Sequence, residues 1–177
     1  PVNEAMVKAG LAEADSLFES QPEAAESRYL ELLEAAPSSA EAHLGLMKIY
    51  EARGDTALRN EKLATVCRLK IAAGKAAEIP ELIREWSELE PDSPEARFAC
   101  AELVNAEGDA ESAVMEFMGA GDACEVSGDL ESALRAYRRA AALSAEHHVD
   151  VIDVNPHVIR VLTELGRAGE AVTQLIS

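Results

Sequence analysis

Five residues towards the end of the chain, His147, His148, Asp150, Asp153 and His157, are of the types that hold divalent metals. Imidazole and carboxylate together suit a transition-metal ion. Their spacing follows no established zinc pattern, and a solvated loop leading into a helix cap accounts for the same residues. We therefore expect no metal and no cofactor. Gly119-x-Gly121-x-x-Cys124 mimics part of a dinucleotide fingerprint, but the last glycine and any preceding strand are missing. No H-E-x-x-H, G-x-S-x-G or P-loop sequence occurs. Acids are abundant, yet abundant Glu is not a paired general acid and base. The expectation is that the chain is not an enzyme and has no catalytic residues.

Charge is the stronger functional signal. The 177 residues carry a net charge of −17, which argues against a nucleic-acid groove, where phosphates need clustered Lys and Arg. It argues equally against binding an anionic membrane surface. Residues 85–131 hold fourteen acids and one base, Arg97, whereas residues 42–84 hold eight bases and five acids. So lopsided a block could steer a basic ligand. The same acids would also solvate an alanine-rich helical array and complement helix N-termini. The dipolar arrangement also permits head-to-tail self-association.

The elements that must carry these residues are set by helix breakers. Pro37 recurs as Pro91, Gly54-Asp55 as Gly108-Asp109, and Gly74 as Gly128, each 54 residues on. A fixed period indicates stacked copies of one supersecondary unit. We expect a first helix over 3–19 and copies at 22–75, 76–129 and 130–177, forming one domain of about ten helices. In the first copy, Pro22 opens a helix, a Ser38-x-x-Glu41 capping box opens the next, and Asp55 caps a long helix over 56–73. The second copy repeats these near 76–89, 94–107 and 110–127, with Pro80 allowing its first helix to start late. Gly119 and Gly121 would weaken the last helix by about 2 kcal/mol relative to Ala. The first copy has no glycine there, so continuous helices are expected. The third copy runs from Leu130 to about Leu143, followed by a loop over 145–155 and a helix capped by Asn155.

Cys67, Cys100 and Cys124 are widely spaced in apolar stretches, as expected of core residues in a reducing compartment. Trp86, Tyr29, Tyr50, Phe117 and Tyr137 are also expected in the core. No apolar run is long enough to span a membrane. The chain starts without Met and ends within a helical pattern, so a segment of a larger protein is expected. Its location is expected to be cytoplasmic, with the periplasm as the alternative.

Gly128-Asp129 followed by Ala133, Tyr137 and Ala140 resembles the second helix of tetratricopeptide repeats. Gly108-Asp109 with Ala113, Phe117 and Ala120 does so too, and Leu165-Gly166-Arg167 with Glu170-Ala171 partly. The resemblance implies a right-handed α-solenoid whose concave groove binds peptides or partner helices. One subgroup clamps C-terminal carboxylates with Lys, Arg and Asn. Here the corresponding face carries Glu41, Leu44 and Lys48, then Glu95, Phe98 and Glu102. Those acids disfavour a carboxylate, and the six residues become candidate contacts for a basic or amphipathic peptide or partner helix. Leu44 and Phe98 have a second reading, as packing against the adjacent helix. Two other roles stay open: a self-associating module of a larger assembly, or a secretion-chaperone-like binder of apolar segments.

Overall fold

The computed structural model describes residues 4–149 and 153–176. Among them are ten α-helices and no strand: α1 Glu4–Leu17, α2 Pro22–Ala35, α3 Ala40–Arg53, α4 Thr56–Ala72, α5 Pro80–Leu89, α6 Pro94–Ala106, α7 Ala110–Ser127, α8 Leu130–His147, α9 Asn155–Glu164 and α10 Ala168–Ile176. The expected all-α architecture of about ten helices is the one observed. Turns as short as Gly54-Asp55 and Gly128-Asp129 reverse the chain between helices, so the helices they join are antiparallel. At Gly54 and Gly128 the backbone is left-handed (φ 80° and 79°), which glycine adopts without a Cβ clash. None of the described helices is long and apolar enough to cross a membrane.

The helices expected over 56–73 and 110–127, α4 and α7, are each continuous. In α7 the glycines are used for close approach. A Cβ at Gly121 would lie 2.4 Å from the Tyr137 ring, and one at Gly119 would lie 2.8 Å from the Arg97 guanidinium. Tight packing against α8 and α6 thus offsets the propensity cost.

Several expected boundaries shift for local reasons. Helix α1 ends at Leu17 rather than at residue 19, and residue 3 of the expected span lies outside the described residues. The cap of α3 is Ser39, not Ser38: its hydroxyl accepts the Ala42 N–H at 3.2 Å. Ser93 caps α6 in the same way, accepting the Ala96 N–H at 3.4 Å. The stretch 76–89 splits into a 3-10 turn, Ala76–Glu78, and α5, because proline at residue 80 starts the helix there. Helix α8 runs four residues beyond Leu143, ending where His148 turns left-handed (φ 54°). Asn155 is the first residue of α9 rather than its cap, and its N–H donates to Asp153 Oδ1 at 3.1 Å.

The chain forms two compact units, Pro1–Leu82 and Ile83–Ser177, dividing within α5. In the first, α1, α2 and α3 meet around Ala14, Ala25, Tyr29, Leu32, Leu46 and Tyr50, while α4 lies on α3 and buries Leu63, Val66 and Cys67. In the second, Val114 and Phe117 of α7, Leu134 and Tyr137 of α8, and Val158 and Leu162 of α9 form the core. Small residues at contact positions, Ala25 and Ala42 in one unit and Ala113 and Ala133 in the other, are fully buried. They let neighbouring backbones approach, with aromatic rings filling the remaining space. Trp86 is buried, and its ring N–H donates to Glu90 at 3.0 Å.

Candidate functional site

Helix α3 places Glu41, Leu44, Gly45 and Lys48 at i, i+3, i+4 and i+7, one face of a helix. In the Pro1–Leu82 unit that face borders an open cleft of about 530 Å³. Across it, α1 and the turn after it supply Leu11, Asp15, Phe18 and Glu19, and Tyr29 closes the floor. The three sequence-selected residues of this unit thus converge on one depression. Leu44 is half-buried in its wall, with Glu41 and Lys48 exposed at its edge.

Local contacts hold the cleft. Tyr29 is 1% exposed, and its hydroxyl donates to Asp15 Oδ1 across α1 and α2. Burial, then the Asp15 carboxylate, raises the Tyr29 phenol well above its ordinary value. Lys70 of α4 donates to Glu41 Oε1 at 3.0 Å and to Glu78 Oε2 at 3.2 Å. The hydrogen bond from Lys70 holds the Glu41 carboxyl below the usual range, and that bond also raises the Lys70 ammonium. Leu11, Phe18 and Leu44 give the cleft apolar walls; Asp15, Glu19 and Glu41 outnumber Lys48 at its polar positions.

Helix α6 presents Glu95, Phe98 and Glu102 at i, i+3 and i+7 in the Ile83–Ser177 unit. Phe98 is half-buried and meets Phe117 edge to face, with centroids 5.9 Å apart and planes at 73°. Glu102 faces Arg139 Nε at 3.6 Å, and the Arg139 guanidinium lies over the Phe117 ring at 5.9 Å. Phe98 therefore makes the helix-packing contact that was one of its two sequence readings, with an exposed Glu95 beside it.

The acidic block is partly neutralised by folding. Glu107 pairs with Arg84, Glu116 with Arg97, Glu125 with Arg160 and Glu131 with Arg167. Of these arginines, Arg84, Arg160 and Arg167 lie outside residues 85–131, so a linear tally of charge misses them.

The histidine-rich stretch is dispersed. His147 ends α8, His148 follows it in the left-handed turn, and Asp150 lies outside the described residues. His157, in the first turn of α9, meets Asp122 and Glu125 of α7 instead. Sequence reasoning named the histidine but not these carboxylates; their i, i+3 spacing was the available signal. Cys67, Cys100 and Cys124 are buried and none is in a disulfide. Burial pushes the Cys100 thiol up, and the Cys124 thiol up to about 11.

No protein-family model matches the chain, and no curated protein matches it. Solved structures similar to it include YrrB, described as a TPR protein with an unusual peptide-binding site, at 16% identity over 93% of this chain and 90% of that one, with a TM-score of 0.43. BtubC from P. vanneervenii is 14% identical over 96% of this chain and 85% of its own, with a TM-score of 0.43. PilW, a type IV pilus biogenesis factor, is 14% identical over 97% and 91%, with a TM-score of 0.38. The likeness is one of fold, in which the glycine-closed antiparallel hairpins and the Gly121–Tyr137 contact between α7 and α8 are this chain's own features.

Proposed function

We propose that this chain is a non-enzymatic protein-interaction module whose Pro1–Leu82 cleft takes a basic or amphipathic peptide or partner helix. The observation that carries this reading is the convergence of Glu41, Leu44 and Lys48 with Leu11, Asp15, Phe18 and Glu19 on one open depression. Its apolar walls suit the apolar face of a helix, and its acidic edge suits flanking lysines or arginines. Glu95, Phe98 and Glu102 are proposed as a second, weaker contact set, in which Glu95 and the uncovered edge of Phe98 would meet the ligand.

Fluorescence anisotropy with a lysine-rich amphipathic helical peptide tests the proposal, against a control peptide with the lysines changed to glutamates. Binding should be saturable and weaken as salt rises, with the acidic control binding at least tenfold less well. Leu44→Asp should weaken binding at least tenfold, and Glu41→Lys severalfold. For the second set, Glu95→Lys with Glu102→Lys should cost more than the ~1 kcal/mol typical of exposed charge pairs. Affinity unchanged by Leu44→Asp, or equal for both peptides, would overturn the cleft reading. Salt-insensitive binding lost with Leu44→Asp would favour a binder of apolar segments, and mass that grows with concentration in light scattering without peptide would favour self-assembly.

A further inference from the structure

We propose that Asp122, Glu125 and His157 form a binding site for a divalent transition-metal ion of the zinc type, in the Ile83–Ser177 unit. Asp122 and Glu125 are three residues apart on α7 and share a face; His157 stands opposite them in the first turn of α9. One ligand atom from each lies within 4.8 Å of the others. Metal–nitrogen and metal–oxygen bonds of about 2.0–2.2 Å place two ligands of one ion up to about 4 Å apart. Closing the site therefore takes a shift of roughly an ångström, within reach of side-chain rotation. One imidazole with two carboxylates suits zinc, cobalt or nickel better than calcium or magnesium, which favour oxygen alone.

The surroundings have more acceptors than protons. The Tyr137 hydroxyl is 2.7 Å from Asp122 Oδ1 and 2.7 Å from Glu125 Oε2. A phenol has a single hydrogen, so one of these short contacts has none. Arg160 Nη2 donates to Glu125 Oε2 and stands 3.3 Å from His157 Nδ1. Guanidinium cannot accept a hydrogen bond, so this second contact is a bond only when Nδ1 keeps its lone pair. That lone pair, turned towards Arg160, is the one a metal ion would take once the guanidinium moves away. The Tyr137 ring, 5.0 Å from the His157 ring, fixes its position.

Arg160 thus places a cation where the metal would bring one. Its side chain is 50% exposed and can swing into water. The metal would take its place, with water completing the coordination, and Tyr137 would remain as the outer donor that orients a ligating carboxylate. If the cluster is only an ion pair, removing Arg160 leaves no site. If it is a metal site, removing Arg160 removes a competitor.

Titration of the whole chain with Co²⁺, followed by visible absorption and by displacement with Zn²⁺, tests this. One equivalent should bind, with ligand-field bands and no intense near-ultraviolet sulfur band, since Cys67, Cys100 and Cys124 are buried. Glu125→Gln and His157→Gln should each weaken binding at least tenfold, while Arg160→Met should tighten it severalfold. Circular dichroism of each variant should match the parent. Absence of saturable binding, a sulfur band, binding indifferent to Glu125→Gln and His157→Gln, or Arg160→Met that leaves affinity unchanged or lower would each overturn the proposal.

Discussion

The Tyr29 ring lies so close to Gly45 that a Cβ at residue 45 would come within 2.3 Å of its Cζ atom. The ring is buried and its hydroxyl is held by Asp15, so displacing it would disturb that packing and hydrogen bond. Gly45→Ala would gain about 1 kcal/mol of helix propensity but meet an overpacking cost of about 1–3 kcal/mol. Overpacking should win, for a net loss of up to about 2 kcal/mol in urea unfolding. Gly169→Ala is the control: it lies in α10 with nothing within 4 Å of the added Cβ, and should gain some stability. Gly45→Ala as stable as Gly169→Ala would contradict the packing argument.

The raised Tyr29 and Tyr137 phenols make a prediction at alkaline pH. Below the unfolded value of about 10, both states hold the proton and the contribution is complete. Above it the unfolded chain ionises while the folded phenols do not, so stability falls as pH rises. Tyr29→Phe should flatten that decline. At neutral pH it should cost about 1–2 kcal/mol, because the phenol donates to a carboxylate. Urea midpoints from pH 7 to 11 measure both; parallel pH curves for parent and variant would refute the link.

Asp109 and Asp129 cap α7 and α8, accepting the Ser112 and Ser132 N–H groups at 3.0 and 3.1 Å. Hydrogen bonds from those serines lower both carboxyls. A lowered folded value gives stability that is present above the unfolded value of about 3.9 and lost as pH falls through the folded one. Asp109→Ala and Asp129→Ala should each reduce helix stability at neutral pH. They should also shrink the pH dependence of stability below about pH 4. A variant whose acid-unfolding curve parallels the parent's would show that the cap does not titrate as argued.

What the sequence disclosed follows the range of the forces involved. Helix ends were legible because Pro22, Gly54, Gly108 and Gly128 act on their own neighbours. Ser39 and Ser93 stand 54 residues apart, and both hydroxyls cap in the same way. Contacts between helices were not legible. Nothing near Gly121 in sequence reveals that the Tyr137 ring lies against it, and a count of charges along 85–131 omits the arginines that folding brings to Glu107, Glu125 and Glu131. Equivalence under the repeat did not ensure equal surroundings either. Leu44 borders an open cleft, whereas Phe98 at the matching position leans on Phe117.

The cysteines allow a test of core integrity that needs no ligand. The Cys124 side chain is fully buried between α7 and its neighbours, and its thiol is pushed up to about 11. At pH 8 about one molecule in a thousand would hold a thiolate, against roughly one in four for a free cysteine of pKa about 8.5. The thiolate is the reactive form, so an aromatic disulfide reagent should modify Cys124 at least two orders of magnitude more slowly than a free thiol. A variant keeping Cys124, with Cys67→Ala and Cys100→Ala, isolates the signal, and unfolding in urea should restore the full rate. Rapid labelling of the folded chain would mean that α7 opens far more readily than its packing against α6 and α8 allows.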